Sequence, residues 1–504
     1  MPEVALAVDA GGSYVKAGLV GWDGSILDQL SAPVRSLARP DGGAERDLNE
    51  LWATTSALMN SLRGRAPDAF GEVSRVAITG HGNGAYFLNP AGQPTRPAVL
   101  ATDTRATALV QRWHRSGVDT VVRRRTGSSL WPGQPGVIVR ALRDAEESLG
   151  AGTTAIVSCQ DALRAQFTGV VATEITAATT TGLYPVGFGP EASTVVRPDP
   201  EVAAALGIGG QLPLFPDAVP DHTVWPVHPT VSAELGLPAG ALVTAGLVDN
   251  VATQLGSGIT DSQLISVGMG TWGMNQRWVS VADNPAALVK SVRPLALSRW
   301  RDQLLVCMGA PHSSTALDWV LRLVNQGEVD YDLLEAAVSA FEARPSDPVF
   351  VPARAGRPGD APGGESALSL TGLAMDTSTH ALVAAVAEGI CLAQVTRIEH
   401  LMRQSPTTGV VVSGGGSISD AVVQLLSDAL GRPVRRLRGQ ATGLIGVGVA
   451  ALHSGERRTI ASVLDASVAV QQESQPRQPR SARLQDRLAA FRERTAGVNA
   501  KAAR

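Results

Sequence analysis

A short stretch near the start of the chain, VDAGGSYVKAGLV, places an Asp, two glycines and a Lys between two apolar runs. Apolar residues alternate with small or polar ones on both sides of Gly11 and Gly12, which predicts two antiparallel strands joined by a tight turn. Because glycine lacks a Cβ, the N–H groups of such a turn can converge on a phosphate. Asp9 would then lie beside that phosphate, which favours Mg²⁺ between the two negative groups. An ordinary hairpin with a surface Asp is the alternative.

A second acid, Asp249, lies in TAGLVDNVATQLGSG, where an apolar strand meets the start of a predicted helix. A carboxylate in this position can accept the proton of a hydroxyl group while that hydroxyl attacks a γ-phosphorus. Asp is also common as a helix N-cap, where its role would be structural. The residues around Asp249 leave both readings open.

Two more glycine turns, Gly268–Gly270 and Gly414–Gly416, also follow apolar strands. Each turn alone is weak evidence for a ligand. Taken with Gly11 and Gly12, the three turns could hold the phosphates and the nucleoside of one nucleotide between two domains.

The loop GHGNG offers a different chemistry, because His81 and Asn83 supply hydrogen-bond donors and acceptors between glycines. The loop contains no Lys or Arg that would favour an acidic or phosphorylated ligand. It therefore suits a neutral polyhydroxylated molecule. His81 could instead be a polar loop residue satisfied within the protein.

The elements that must position these residues follow a βββαβ order at the start of the chain, and QLISVGMGTWGMNQRWVS repeats the strand–turn–strand pattern about halfway along it. A chain of 504 residues exceeds the usual size of one hydrophobic core. We therefore predict an α/β protein with domains at 1–245 and 246–455. A tail at 456–504 follows, in which the polar stretch QQESQPRQPRSAR is expected to be mobile before a final helix whose apolar stripe is Leu484, Leu488 and Phe491.

Composition excludes several classes of protein. The 43 basic and 46 acidic residues leave a formal charge of -3, which gives no pull toward nucleic acid or an anionic membrane. The apolar stretches are too short or too interrupted to cross a bilayer, so we expect a cytoplasmic protein. Cys159, Cys307 and Cys391 show no metal-site spacing, and buried free thiols are expected.

Six segments in order, DAGGSYVKAGLV, TGHGNGAYFLNPAGQPTRPAVLATDTRA, GLVDNVATQLGSG, GMGTWGMN, AVAEGICLA and SGGGSISDAVVQLLSDALGRPV, give the chain a likeness to a known family. Together they resemble the FGGY family of carbohydrate kinases. The resemblance implies two ribonuclease H-like domains of the actin-like ATPase fold, with a nucleotide and sugar cleft between them. It also implies ATP-dependent phosphorylation of a sugar or polyol hydroxyl.

The resemblance also assigns residues to each part of the site. For the nucleotide it implies Gly12, Ser13, Lys16, Gly270, Thr271, Gly309, Ala310, Gly415 and Ser419. For the sugar it implies His81, Asn83, Trp131 and Asp249, with Asp249 as the general base and Asp9 near Mg²⁺. Two alternatives stay open: Trp131 could be a core aromatic, and Lys16 could point outward from its strand.

One departure from the family pattern concerns Gly12, which stands where the family usually has Thr. A hydroxyl contact to phosphate is therefore lost or passes to Ser13. The GHGNG and GTWGMN loops are most similar to the L-xylulose kinase and erythritol kinase branches. We predict a ketopentose such as L-xylulose, with a polyol kinase or a non-catalytic ATP-binding sensor as alternatives. The expected partners are ATP and a small sugar, and neither nucleic acid nor a membrane is expected. The sequence is compatible with assembly as a homodimer.

Overall fold

A computed structural model of the chain describes residues 3–186, 196–270, 273–280, 295–297, 302–310, 314–352, 368–403, 407–439, 441–453, 457–468 and 470–501. The strands are β1 (Val4–Ala10), β2 (Tyr14–Gly21), β3 (Ile26–Pro33), β4 (Leu37–Ala38), β5 (Ala44–Arg46), β6 (Val73–Gly80), β7 (Tyr86–Leu88), β8 (Ala98–Val99), β9 (Ala155–Val157), β10 (Thr173–Glu174), β11 (Ala218–Val219), β12 (Val224–Pro226), β13 (Leu242–Thr244), β14 (Leu247–Val248), β15 (Leu264–Met269), β16 (Gly273–Ser280), β17 (Leu295–Leu297), β18 (Gln303–Ala310), β19 (Val349–Val351), β20 (Ser369–Thr371), β21 (Gly409–Ser413), β22 (Val434–Leu437) and β23 (Val470–Ser474). The α-helices are α1 (Leu48–Arg65), α2 (Pro67–Gly71), α3 (Thr107–Ser116), α4 (Val118–Thr126), α5 (Pro135–Asp144), α6 (Cys159–Thr168), α7 (Ile175–Thr180), α8 (Pro200–Ala205), α9 (Pro229–Leu235), α10 (Asp249–Gly256), α11 (Ser314–Val324), α12 (Tyr331–Ser339), α13 (Thr379–Met402), α14 (Asp420–Leu430), α15 (Thr442–Leu452), α16 (Arg457–Ser467) and α17 (Gln478–Lys501).

The first domain is built on a seven-stranded sheet in the order β12-β13-β6-β1-β2-β3, with β14 also paired to β6. Strand β1 runs antiparallel to β2, where Asp9 lies opposite Lys16, and parallel to β6, where Asp9 lies beside Thr79. The predicted βββαβ order is confirmed in β1, β2, β3, α1 and β6.

The second domain repeats this arrangement. Its sheet has the order β17-β18-β16-β15-β21-β22-β23, with β15 antiparallel to β16 and parallel to β21. The central order β18-β16-β15-β21-β22 corresponds to β3-β2-β1-β6-β13 in the first sheet. The prediction of two α/β domains of ribonuclease H-like topology is confirmed.

Two helices, α10 and α15, cross between the sheets. Their apolar side chains, which include Val251 and Leu444, form a core with residues from both sheets, among them Ala7, Ala77, Trp278 and Leu305. The helix backbones touch, because a Cβ on Gly446 would lie 1.9 Å from the carbonyl oxygen of Ala252. Only glycine permits this approach.

The prediction of a mobile polar tail is wrong. Val470–Ser474 forms β23 at the edge of the second sheet, and α17 packs on that domain through its predicted apolar stripe. That stripe, which is buried, consists of Leu484, Leu488 and Phe491. The polar residues are ordered by ion pairs, since Arg487 pairs with the buried Glu388 and Arg477 pairs with the buried Asp428.

Helix α13 is long and apolar enough to cross a membrane by length and composition, but 83% of its apolar window is buried inside the protein. It therefore serves as a core helix of the second domain. All three cysteines are free and buried, as predicted.

Candidate active site

The predicted base and its neighbours come together at the carboxyl ends of three adjacent strands. Strands β1 and β14 both run parallel to β6, with Ala10 and Val248 both in register with Gly80. The N–H of His81, the first residue after β6, donates to the carbonyl of Ala10 at 3.1 Å. Asp249 follows β14 at the same edge of the sheet.

Asp249 is the first residue of α10, and the N-cap position is occupied by Val248. Its carboxylate accepts a hydrogen bond from the N–H of Asn250 at 2.7 Å. Burial, followed by the negative charge of Asp9, raises the pKa of Asp249 from 3.8 to about 7. A carboxylate with this pKa is suited to accept a proton near neutral pH.

A buried polar chain fixes the strand end that carries Asp249. The N–H of Val248 donates to the hydroxyl of Thr176 at 3.0 Å, and that hydroxyl donates to the carboxylate of Glu174. Glu174 is fully buried and also accepts the N–H groups of Thr176 and Ala177 at the start of α7. Sequence reasoning missed this support, because its members are distant in the chain and carry no motif.

Asp9, the other acid at this edge of the sheet, is surrounded by residues of β2 and α15. Burial raises its pKa, and the charge of Lys16 opposes that effect. Residues directly opposite each other in an antiparallel pair share one face of the sheet, so Lys16 lies on the face of Asp9. Gly443 of α15 packs against Asp9, because a Cβ there would lie 2.6 Å from Oδ2 of Asp9.

The predicted sugar residues lie on two joined loops beside these acids. His81 contacts the hydroxyl of Tyr86 through Nε2 at 3.1 Å. Burial, followed by the charge of Arg46, lowers the pKa of His81 to about 3, so the imidazole is neutral. Asn83 adopts a left-handed backbone conformation with φ of 63°, and its buried Oδ1 has no partner within the described part of the chain.

Trp131 lies on the second of these loops, which is joined to the loop of Asn83. The N–H of Gly84 donates to the carbonyl of Gly133 at 2.9 Å, which ties the Asn83 loop to the Trp131 loop. The backbone N–H of Trp131 donates to Oε1 of Gln134 at 3.1 Å. Trp131 is half-buried, whereas a core aromatic would be fully enclosed.

The predicted nucleotide residues divide between the two domains. Gly12 and Ser13 are exposed at the β1–β2 turn, next to Asp9. Four others lie at one edge of the second sheet, where β15, β18 and β21 end: Gly270, Gly309, Ala310 and Gly415. Gly414 and Gly270 are in close contact there, because a Cβ on Gly414 would lie 3.1 Å from the N atom of Gly270. Thr271 lies outside the described residues.

Ser419 makes structural contacts besides its predicted role at the nucleotide. Its hydroxyl caps α14 by accepting the N–H of Val422 at 3.2 Å, and it donates to the carboxylate of Glu335 at 2.6 Å. The hydroxyl is therefore engaged within the protein, and a contact between Ser419 and a nucleotide stays a prediction.

Two ribonuclease H-like domains with acids and glycine turns at the strand ends define the architecture shared by actin-like ATPases and sugar kinases. The N- and C-terminal domain models of the FGGY family of carbohydrate kinases match residues 4–256 and 266–455. The chain therefore belongs to the FGGY family of carbohydrate kinases and is a sugar kinase that uses ATP.

Three similar proteins illustrate the relationship. The L-xylulose/3-keto-L-gulonate kinase of Escherichia coli (strain K12) is 28% identical over 457 residues, covering 90% of this chain and 88% of that protein. The erythritol kinase of Brucella abortus (strain 2308) is 25% identical over 467 residues, covering 89% and 87%. The crystal structure of ligand-bound xylulose kinase from Lactobacillus acidophilus has a TM-score of 0.86 at 18% identity, covering 99% of both chains.

The open space at Gly12 leads to a testable prediction. A Cβ at Gly12 would meet nothing within 4 Å, and the φ angle of Gly12 lies outside the left-handed region. Gly12→Thr should restore a hydroxyl contact to phosphate and lower the KM for ATP by about tenfold, since a hydrogen bond to a charged group contributes about 1.5 kcal/mol or more. Steady-state kinetics at saturating sugar measures this.

Gly12→Ala is the matched control, because it adds the Cβ without the hydroxyl and should leave the KM unchanged. An equal change in both variants, or no change in Gly12→Thr, would contradict a phosphate contact at this position.

Proposed function

We propose that this sugar kinase transfers the γ-phosphoryl group of Mg²⁺-bound ATP to a hydroxyl of a neutral ketopentose such as L-xylulose. The observation that carries the proposal is the position of Asp249. Its carboxyl group, with a pKa raised to about 7, follows β14 at the sheet edge where Asp9 of β1 and the loop of His81 and Asn83 after β6 also lie.

The reaction would proceed by direct attack of the sugar hydroxyl. The hydroxyl oxygen forms a bond to the γ-phosphorus as the bond from that phosphorus to the bridging oxygen breaks and ADP leaves. Asp249 accepts the hydroxyl proton as the new bond forms. Backbone N–H groups of the glycine turns would offset charge on the phosphoryl oxygens.

The acids support Mg²⁺ as the partner of ATP. Asp9 and Asp249 repel each other, since the charge of Asp9 raises the pKa of Asp249. A divalent cation relieves such repulsion, and carboxylate and phosphate oxygens are the ligands that Mg²⁺ prefers. Asp9 would hold the ion, which would offset negative charge on the phosphates.

The chemistry of the sugar loops supports a neutral substrate. His81 is neutral, so this loop presents no positive charge that would favour an acidic sugar. Asn83 adds a buried acceptor that lacks a partner among the described residues. The name of the Escherichia coli relative includes L-xylulose, which supports a ketopentose. The name of the Brucella relative supports a four- or five-carbon polyol as the second candidate.

An ADP-release assay across candidate acceptors tests the proposal. The panel consists of L-xylulose, D-xylulose, erythritol, xylitol, glycerol and 3-keto-L-gulonate, each compared with a reaction that lacks sugar. We expect the highest kcat/KM with a ketopentose and weak activity with the acidic 3-keto-L-gulonate. Glycerol or the acid as the best substrate would contradict the choice, and activity with none would favour the sensor alternative.

Two further predictions rest on the sequence alone. These are a cytoplasmic location and the possible assembly of the chain as a homodimer.

A further inference from the structure

A buried arginine that no motif singled out lies behind the first glycine turn. Arg46, at the end of β5, is only 1% exposed. Its guanidinium donates to the carbonyls of both turn glycines, to Gly11 through Nη1 at 3.2 Å and to Gly12 through Nη2. Nε also donates to the carbonyl of Arg35 at 3.4 Å. One side chain therefore ties the turn to the chain that follows β3.

The charge of Arg46 is not neutralised nearby. Within the described part of the chain no carboxylate lies within ion-pair distance of it, and its partners are backbone carbonyls and the hydroxyls of Ser36 and Tyr86. A buried cation without a counterion is costly and is normally avoided. Its field reaches the neighbouring loop, since it contributes to the lowered pKa of His81. A bound anion would reduce this cost.

The strand that carries Arg46 is itself firmly held. The N–H of Ala44 donates to Asp103 at 3.0 Å, and Glu45 pairs with Arg105 at 3.3 Å. Arg105 also pairs with Asp103 at 2.7 Å. Asp103 and Arg105 thus support the strand from which Arg46 reaches the turn.

We propose that Arg46 is a positioning residue for phosphoryl transfer: it holds the carbonyls of Gly11 and Gly12 away from the phosphate so that the N–H groups of Gly12 and Ser13 face it, and it supplies positive charge behind the turn. The N–H of Gly11 is not available for this, because it donates to the carbonyl of Tyr14 at 3.0 Å. This inference rests on the proposed role of the turn in binding ATP. It accounts for a phosphate loop that works without the usual Thr, because the guanidinium orients the turn and adds attraction in place of the hydroxyl contact.

Three variants separate this role from a purely structural one. Arg46→Gln removes the charge and most of the contacts to the turn. Arg46→Lys keeps the charge, but its single ammonium cannot reach the separate carbonyls that the planar guanidinium spans. Arg65→Gln is the matched control, since Arg65 pairs with Asp28 on the exposed part of the same domain.

Calorimetric titration with ATP and with adenosine, together with hydrogen exchange of the peptide covering 9–17, provides the measurements. We expect Arg46→Gln to weaken ATP binding at least tenfold, to leave adenosine binding within twofold of wild type, and to speed exchange in the turn. Arg46→Lys should recover only part of the ATP affinity. Arg65→Gln should behave as wild type in all three measurements.

Other outcomes overturn the proposal in distinguishable ways. An equal loss of ATP and adenosine binding would make Arg46 merely structural, and full recovery in Arg46→Lys would remove the need for the guanidinium contacts. Unchanged ATP affinity and exchange in Arg46→Gln would remove its role altogether. Wild-type protein that binds no ATP would contradict the proposed function itself, whatever the exchange of the turn shows.

Discussion

Asp249→Asn is expected to bind ATP nearly as tightly as the wild type and to lose between about a hundredfold and ten-thousandfold in sugar-dependent rate. The amide keeps the size of the side chain and can still accept the N–H of Asn250, but it cannot take a proton from the sugar. ATP would be held by the glycine turns, so its affinity should change little. Calorimetry measures the ATP affinity and steady-state kinetics measures the sugar-dependent rate, so the two effects are separated.

A rate loss below tenfold would contradict the role of general base, and an equal loss of ATP affinity would point to a role in nucleotide binding. Asp261→Asn is a suitable control, because Asp261 is a loop acid whose carboxylate accepts the N–H of Gln263 in an exposed position. It should retain the wild-type rate.

The pH dependence of the wild type gives a second measurement of the same role. The base must be unprotonated to accept a proton, and the pKa of Asp249 is raised from 3.8 to about 7. Activity should therefore be full above that value and fall as the pH drops through it. Because the charge of Asp9 contributes to the raised pKa, Asp9→Asn should move the remaining activity profile to lower pH.

Part of this site could be predicted from the sequence, because the signals for it lie within short stretches of the chain. The alternation around Gly11 and Gly12 predicts the hairpin, and the position of Asp249 at the end of an apolar strand makes it a candidate base. Parallel strands bring their carboxyl ends to one edge, so these residues meet once the topology is known. The repeat of the glycine turn in the second half predicts the second sheet in the same way.

The remaining contacts depend on packing between segments that are distant in the chain. Arg46 reaches a turn about 35 residues earlier, and Glu174 supports Val248 through Thr176. No spacing rule encodes such contacts, because they arise when elements from different parts of the chain are stacked. The ordered tail was missed for a related reason, since the buried partner of Arg487 is Glu388 on another helix.

The crossing of α10 and α15 is another feature that the sequence alone could not reveal, and both helices contribute to the surroundings of the two acids. Helix α10 begins with Asp249, and α15 carries Gly443 against Asp9. At the crossing, a Cβ on Gly446 would lie 1.9 Å from the carbonyl oxygen of Ala252. Any side chain at this position must push the two helices apart, because neither backbone can yield without moving its helix.

Gly446→Ala is therefore expected to lower sugar-dependent kcat by about a hundredfold, since a displacement of about 1 Å in a catalytic constellation has an effect of that order. Overpacking should also reduce the free energy of unfolding by about 1–3 kcal/mol. Urea denaturation and steady-state kinetics measure the two effects. Gly64→Ala is the matched control, because Gly64 is a helical glycine whose Cβ would meet nothing within 4 Å. It should keep full activity and gain slightly in stability. If Gly446→Ala lost stability but kept its kcat, the crossing would hold the domains together without setting the geometry of the two acids.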